Sequence, residues 1–284
     1  MIGLASADPR YPAALRELSR PPATLWVEGD IAVLDEAAVA IVGTRRMTGY
    51  GERVARDLAL ACAAAGLVVV SGLAQGIDSA AHRGAIDGGG RTVAVLGESI
   101  PLFLATVRGR RRPLVPRIRA SGALVSEYAA PLSARPWMFA QRDATIAALA
   151  RAVVVVEAGE GSGALITAEH ARRLGRKLYA VPGPLGSAAS VGTNGLIAQG
   201  LASALVSSDQ LVRAAGVARA SSGDRRSTGD DSDPLLVALR DGPLGLDELA
   251  RRLRIAAPAL SGRVAALVVA GTIGTLPDGR LALR

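Results

Sequence analysis

Apolar and polar positions divide the chain into two kinds of segment that follow one another in turn. Short runs of Val, Ile, Leu and Ala are typical of strands buried on both faces, and longer Ala-rich segments carry their apolar residues at helical spacing. This alternation predicts an α/β fold, with a mostly parallel sheet covered by helices on both faces. The predicted strands are Val39–Val42, Leu67–Val70, Thr92–Leu96, Ala123–Ser126, Ala152–Val156, Leu178–Val181 and Ala204–Val206.

Helical spacing fills most of the segments between these strands. Sheets of this kind bind ligands beyond the carboxyl ends of their strands, so polar residues that directly follow a strand are candidates for a binding site. The predicted helices are Gly51–Ala65, Ser79–Asp87, Ala144–Leu149 and Leu165–Leu174.

Three of the predicted strands run directly into turns rich in Gly and Ser. Glycine lets backbone N–H groups approach a ligand, and the N-terminus of a following helix favours an anion. The turns therefore predict a phosphate-binding pocket, with Arg45 as its first side-chain contact. Two alternatives stay open, namely that the glycines serve only tight strand–helix packing and that Arg45 is a surface residue. The turns contain Gly43-Thr44-Arg45, Ser71-Gly72 with Gly76, and Ser162-Gly163.

The alternating pattern ends before the C-terminus. Residues 217–233 are polar and poor in apolar anchors, which predicts a flexible linker between a sheet domain, 39–216, and a small domain, 234–284. A short lead-in, 1–38, is expected to pack on the sheet domain. The small domain is predicted to hold three helices and a hairpin with an Asp-Gly turn, the order of a winged helix. Its second and third helices, Gly245–Leu253 and Ala257–Ala270, follow Pro234–Leu239, and the hairpin spans 272–284.

The would-be recognition helix of that small domain carries Ser261 and Arg263 but is otherwise aliphatic. This composition leaves protein contact and DNA readout equally open for the domain.

Charge narrows the class of partner. The 284 residues have a net charge of +8 and a pI of about 10.8, and Lys177 is the only lysine, so almost all of the positive charge is arginine. Arginine binds phosphate through two parallel hydrogen bonds, which favours a polyanionic partner. Aromatic residues make up 3% of the chain, so extensive base stacking is not expected.

The remaining composition points to a cytoplasmic protein. No apolar run approaches the roughly 18 residues of a membrane span, and Met1–Arg10 lacks the pattern of a signal peptide. The single cysteine, Cys62, lies in an Ala-rich helical pattern and is expected to be a core residue. His82 is expected to pack or cap, His170 to be solvated, and no metal site is predicted.

The order and spacing of many short motifs resemble the DprA/Smf family of DNA-processing proteins, over roughly residues 11–212. The tail is similar to the C-terminal winged helix of that family. Each motif is weak by itself, and the specificity lies in their order. They are Tyr11-Pro12 and Pro21-Pro22, Ile41–Arg45 with Gly49-Tyr50-Gly51, Ser71–Asp78 with Ala81-His82, Ser126-Glu127-Tyr128, Val156-Glu157-Ala158, Ser162–Ala168, Gly175-Arg176, Ala180–Gly183 and Gly192-Thr193-Asn194.

The resemblance implies an extended Rossmann-like sheet and a role in natural transformation. A protein of this family is expected to bind single-stranded DNA, to protect incoming strands and to help load the RecA recombinase, as a homodimer and without catalysis or a cofactor. The expected DNA contacts are Gly43, Thr44, Arg45, Ser71, Gly72, Gly76, Arg142, Ser162, Gly163, Thr167, Gly192, Thr193 and Asn194. A basic rim is expected from Arg46, Arg108, Arg110, Arg111 and Arg112.

Several positions depart from the family pattern. Where relatives carry Phe-Pro-x-Arg-Asn-Arg, this chain has Phe139-Ala140-Gln141-Arg142-Asp143-Ala144, so one arginine is lost and an acid is gained. Gly161 replaces a common basic residue, and an Arg-rich stretch, 107–111, replaces a Tyr-Pro-x-x-Asn region. The cleft is therefore expected to have fewer positive contacts, for which the basic rim compensates if it faces the same side.

Two other functions compete with this one. Nucleotide hydrolases of the lysine-decarboxylase-like (LOG) group have a similar sheet and a motif that ends in a catalytic glutamate, where this chain has Thr167. Glu157, at the ligand edge of the sheet, is the one carboxylate there that suggests catalysis, whereas Asp78 in a first helical turn is explained by the helix dipole. A diverged scaffold that binds proteins but no DNA is the third possibility.

Overall fold

The valine-rich runs of the sequence form one large sheet in the computed structural model. The structure describes residues 1–130, 132, 134–216, 233–240, 242–253, 255, 257–269, 272–276 and 278–283. The chain divides into two compact units, Met1–Arg219 and Ala220–Arg284. The predicted linker, apart from Asp233, lies outside the described residues.

The strands of the first unit form a nine-stranded sheet in the order β1-β2-β6-β5-β4-β3-β7-β8-β9. All pairings from β6 to β9 are parallel, and β1 and β2 add antiparallel strands at one edge. The mostly parallel, Rossmann-like sheet predicted from the sequence is therefore confirmed. The strands are β1 Ile2–Ala5, β2 Thr24–Gly29, β3 Ala38–Val42, β4 Val68–Ser71, β5 Thr92–Leu96, β6 Gly122–Ser126, β7 Ala152–Val155, β8 Lys177–Ala180 and β9 Ser203–Ala204.

Helices cover both faces of this sheet. They are α1 Gly49–Ala64, α2 Ile77–Asp87, α3 Ile100–Thr106, α4 Leu114–Ser121, α5 Pro136–Leu149, α6 Ala164–Arg173, α7 Val191–Ala198 and α8 Ser208–Ala214. Successive residues of β3 enter opposite cores: Val39 and Ile41 pack into one aliphatic cluster, and Ala40 and Val42 pack into the other. Because the central strands of the sheet are buried on both faces, their sequences are continuously apolar and do not alternate between apolar and polar residues.

Some sequence predictions of element bounds are wrong. Helix α5 begins at Pro136, eight residues before the predicted Ala144, because proline fits the first position of a helix. The last strand ends at Ala204 and leaves Val206 exposed, since only two residues pair with β8. The lead-in, predicted only to pack on the sheet domain, contributes the strands β1 and β2 to the sheet.

Cys62 is fully buried in the cluster between α1 and the sheet, as predicted. Burial raises the pKa of its thiol to about 12, so the thiolate is scarce at neutral pH. Among the described residues, none of the helices has both the length and the apolarity that crossing a membrane requires.

The second unit has a small aliphatic core of its own. Leu235, Leu249, Leu260 and Ile273 are fully buried in it. Three helices precede a two-stranded hairpin, in the order expected from the sequence, and the identity of this unit as a winged helix stays a prediction. The elements are α9 Pro234–Leu239, α10 Leu246–Leu253, α11 Ala257–Val269, β10 Ile273–Thr275 and β11 Leu281–Leu283.

The close packing of α1 on α2 depends on a glycine, Gly84, which has no side chain. A Cβ on Gly84 of α2 would lie 2.6 Å from the carbonyl oxygen of Arg56 and 2.9 Å from the Cβ of Ala59. We expect Gly84→Ala to lower the free energy of unfolding by about 1–3 kcal/mol, because overpacking outweighs the better helix propensity of alanine. Urea denaturation measures this change.

A matched control is Gly195→Ala in α7. The nearest atom to a Cβ there is 3.9 Å away, so the added methyl group meets no backbone. This variant should be neutral or more stable by up to about 1 kcal/mol. Equal effects of the two substitutions would contradict the packing argument.

Candidate functional site

The sheet order creates a switch point between β3 and β7. From β3 the chain moves outward through β4, β5 and β6 on one side, then returns to β7 on the other side of β3. The loops that follow β3 and β7 therefore leave in opposite directions and open a crevice at the carboxyl edge of the sheet. The sequence motifs around Gly43 and Ser162 fall in these two loops.

The crevice is a cleft of about 730 Å³, called the first cleft here. Seven of the predicted contacts line it, together with Arg46 of the predicted basic rim. The seven are Gly43, Thr44, Arg45, Arg142, Ser162, Gly163 and Thr167. The loop after β3 forms one wall, the segment from 159 to 167 forms another, and α5 forms the third.

Exposed arginines stand at the mouth of the first cleft. Arg45 is exposed, and its guanidinium carbon lies 5.9 Å from the centroid of the Phe139 ring on α5. Arg46 and Arg135 are exposed as well and border the same cleft. Within the described ranges, none of these three guanidinium groups has a carboxylate partner, so all three are available to an anion.

Arg142 is held differently, because it is only 5% exposed. Its Nη1 atom lies 3.9 Å from Oδ2 of Asp78, and its Nε atom lies 3.3 Å from Oδ1 of Asp143. A methyl group on Gly72 would overlap this guanidinium. The absence of a side chain at Gly72 thus leaves space for a buried arginine, and Gly72 does not line the first cleft.

The carboxylates around Arg142 titrate abnormally. Burial raises the pKa of Asp143 to about 6, against the attraction of Arg142, and the charge on Asp78 raises it further. A hydrogen bond with the Thr167 side chain and the charge on Arg45 act in the opposite direction. Asp143 therefore exchanges its proton in the range just below neutral pH.

Asp78 does more than complement a helix dipole. Its Oδ2 atom accepts hydrogen bonds from the backbone N–H groups of Gly72 at 3.2 Å and Ala74 at 3.3 Å. Burial raises the pKa of this carboxyl, although Arg142 and the backbone N–H groups lower it. The side chain fixes the shape of the turn between β4 and α2.

Several predicted phosphate contacts lie away from the first cleft. Ser71 is fully buried and donates to the carbonyl oxygen of Ile41 at 2.7 Å, and Thr193, also buried, donates to that of Ser190 at 3.1 Å. These hydroxyl groups stabilise loops inside the protein, so the structure does not support a DNA contact from either side chain.

Gly192 and Asn194 also serve the loop after β8. The amide of Asn194 makes two hydrogen bonds with the backbone of Gly183, 3.0 and 3.1 Å long. A Cβ on Gly192 would lie 2.8 Å from the carbonyl oxygen of Ala158. Both residues thus stabilise the backbone next to the segment 159–167 and the loop after β8, and neither lines the first cleft.

The predicted basic rim is divided between two places. Arg108, Arg110 and Arg111 line a second cleft of about 720 Å³, which Gly76 also borders. Arg45 and Arg46 border both clefts. Arg112, in contrast, lines an apolar groove with Leu104, Val107, Pro113, Val115 and Pro116. It does not line the second cleft, so its place in the basic rim stays a prediction.

Glu157 is not a free carboxylate. It is 2% exposed, and its two oxygens accept hydrogen bonds from the hydroxyl and the backbone N–H of Thr48, at 2.5 and 2.9 Å. Because Thr48 is the N-cap of α1, Glu157 ties the end of β7 to the start of that helix. Because both oxygens of Glu157 are engaged in this structural role, the residue is a poor candidate for a catalytic acid.

Neither histidine lines the first cleft. His82 is fully buried with Nδ1 2.7 Å from the Thr92 hydroxyl, and burial, helped by Arg142, lowers its pKa to about 3. His170 is half-buried, which corrects the expectation that it is solvated, and burial lowers its pKa too. Across the described ranges, no group of three or more His, Cys, Asp or Glu residues could hold a metal ion.

Sequence reasoning missed two residues of the first cleft, Arg135 and Phe139. In the sequence, Phe139 stands out only as part of a motif, and nothing marks Arg135 as a contact. The signal that would have found them is Pro136, which marks the start of α5 and so places its first turn at the cleft.

Comparisons with known proteins identify the family of this chain. The family model for DNA recombination-mediator protein A matches residues 3–216. A Mycobacterium tuberculosis protein with DprA in its name is 41% identical over 283 residues, which cover 94% of this chain and 70% of the relative. Protein Smf of Escherichia coli is 38% identical over 67% of this chain and 50% of its own length.

Solved structures show the same fold. The X-ray structure of DNA processing protein A from Streptococcus pneumoniae has a TM-score of 0.69 at 33% identity, and covers 75% of this chain and 73% of that one. The Helicobacter pylori protein, studied for its single-stranded DNA binding mode, has a TM-score of 0.65 at 29% identity, with 72% and 91% covered. The chain therefore belongs to the DNA recombination-mediator protein A family.

Proposed function

We infer that this protein binds single-stranded DNA through its phosphodiester backbone, with the first cleft as the principal site. The observation that carries this inference is the exposed row of Arg45, Arg46 and Arg135 around that cleft, with no carboxylate partner among the described residues. Arginine pairs with phosphate through parallel hydrogen bonds, and backbone amides of the Gly43 and Gly163 turns add neutral donors.

The geometry also distinguishes residues that can contact DNA from residues that only hold the cleft in shape. Arg142 is buried between two carboxylates, so it shapes the cleft and contributes little free charge. Arg45 extends over Phe139, and a base placed on the open face of such a pair would gain stacking as well as charge contacts. Binding in the first cleft is therefore mainly electrostatic and independent of sequence.

The biological role we propose is mediation of recombination during natural transformation. The protein would protect incoming strands in the cytoplasm and help to load the RecA recombinase, as a homodimer. Membership of the family and the Helicobacter pylori relative, whose single-stranded DNA binding mode was described, support this role.

We propose no catalytic step. Asp78 and Asp143 form ion pairs with Arg142, and Glu157 accepts a hydrogen bond from Thr48. These three buried acids near the cleft therefore already have partners within the protein. Thr167 stands where a LOG-type hydrolase would have its glutamate. Incubation with nucleoside monophosphates should release no free base.

Arg45→Ala should weaken binding of oligo-dT and reduce its salt dependence. Loss of one phosphate contact lowers the slope of log affinity against log salt by about 0.7, and the defect should be largest at low salt. Fluorescence anisotropy of a labelled strand at several salt concentrations measures both quantities.

The control is Arg20→Ala, which removes an exposed arginine that borders neither cleft. It lowers the net charge equally and should change the slope little. If the two variants bind alike, the positive charge of the whole protein, and not the first cleft, is responsible for binding.

Asp143 makes DNA binding sensitive to pH. Its pKa of about 6 means that the carboxyl gains a proton as the pH falls from about 7 to about 5, which removes a negative charge from the cleft wall. Affinity for oligo-dT should rise over this range. Asp143→Asn should bind more tightly at about pH 7 and should lose most of the pH dependence.

Thermal unfolding provides an independent control for the same titration. Because the pKa of Asp143 is raised above its ordinary value of 3.8, the folded state holds the proton more tightly than the unfolded chain. Proton binding by Asp143 therefore stabilises the folded state. This stabilisation is fully present below about pH 4 and is lost as the pH rises through about 6. An Asp143→Asn variant whose stability falls with pH as steeply as that of the unaltered protein would rule out this assignment.

A further inference from the structure

The second cleft has the larger excess of positive charge. Six arginines border it and one carboxylate, Glu52, which already pairs with Arg83 at 3.1 Å. The first cleft has four arginines against three acids. The arginines of the second cleft are Arg45, Arg46, Arg83, Arg108, Arg110 and Arg111.

A ridge built from two loops separates the clefts. Gly76 has a φ of +89°, and a side chain on it would collide with the carbonyl oxygen of Thr44. The backbone N–H of Ile77 donates to the same oxygen at 3.2 Å. This close packing holds Arg45 and Arg46 on the crest, from which they border the clefts on both sides.

The far wall of the second cleft is a tight turn, Gly109–Arg111, that follows α3. Gly109 has a φ of +61°, which favours glycine, and Arg108 donates to the carbonyl oxygens of Ala105 and Val107 at 2.8 and 2.9 Å. Arg111 lies 5.7 Å above the ring of Phe103. These contacts hold the turn in place, and Arg110 has no carboxylate partner in the part of the chain that the structure describes.

The lining of the second cleft indicates which part of a nucleic acid it would meet. No aromatic side chain borders it within the described residues, so stacking on bases is not available there. A row of guanidinium groups with few acids instead suits the phosphates of a flexible backbone.

We propose that the second cleft is a second phosphate-binding subsite for the same DNA strand. The strand that occupies the first cleft crosses the Arg45–Arg46 ridge and continues along the turn of 108–111. This assignment rests on the proposed function, since it extends the path of the strand beyond the first cleft. It also gives the arginines that replace the family's Tyr-Pro-x-x-Asn region a use of their own.

The test is a double variant, Arg110→Gln with Arg111→Gln, titrated with oligo-dT strands of about 4 to about 16 nucleotides. With the longest strand, the slope of log affinity against log salt should fall by about 1.4, two contacts at about 0.7 each. The loss of affinity should thus grow about 25-fold between 1 M and 0.1 M salt. The shortest strand that binds should bind the variant and the unaltered protein equally.

A matched control is Arg20→Gln with Arg213→Gln, which removes two exposed arginines that border neither cleft. Equal losses in the two double variants, or the same loss with short and long strands, would overturn the second subsite. Two short strands bound per protomer, with no gain in affinity from length, would overturn the continuous path.

Arg45→Ala separates this inference from the proposed function. If that variant loses short-strand binding while the Arg110/Arg111 variant behaves like its control, the first cleft stands and the second does not. If Arg45→Ala leaves short-strand binding intact, the failure lies in the first cleft itself.

Discussion

Three loops at the carboxyl edge of the sheet are joined through one short segment, and the site depends on that junction. The backbone N–H of Thr44 donates to the carbonyl oxygen of Glu157 at 2.7 Å, and the carbonyl oxygen of Thr44 accepts from Ile77. The Glu157 side chain then caps α1 through Thr48. The loops after β3, β4 and β7 consequently keep fixed positions, so Arg45 and Arg46 on the first of these loops can face a ligand without an ordering cost for the backbone.

Charge in the first cleft is more nearly balanced than the basic composition of the chain suggests. Two buried carboxylates, Asp78 and Asp143, flank Arg142 and offset its charge. A buried charge without such partners would be strongly destabilising. The positive potential that reaches solvent is therefore supplied by side chains on loops, and the interior supplies their support.

Much of the fold could be predicted from the sequence because burial on both faces leaves a direct trace in continuous apolar strands such as Val39–Val42. The antiparallel strands β1 and β2 could not be predicted in this way, since they lie at an edge, where burial is partial. At the site, the turn motifs located the loops correctly. They did not reveal that Ser71 and Asn194 bond to backbone inside the protein, because a sequence does not show which way a polar side chain turns.

The turn of 108–111 follows the end of α3 and takes no part in the strand pairing of the sheet. Its arginines can be gained, lost or rearranged while the strands, the junction at Thr44 and the buried Arg142 cluster stay as they are. The proposed second subsite and the stability of the fold thus depend on different parts of the chain. If the proposed subsite holds a strand, substitutions in this one surface loop would change the affinity and leave the core of the fold intact.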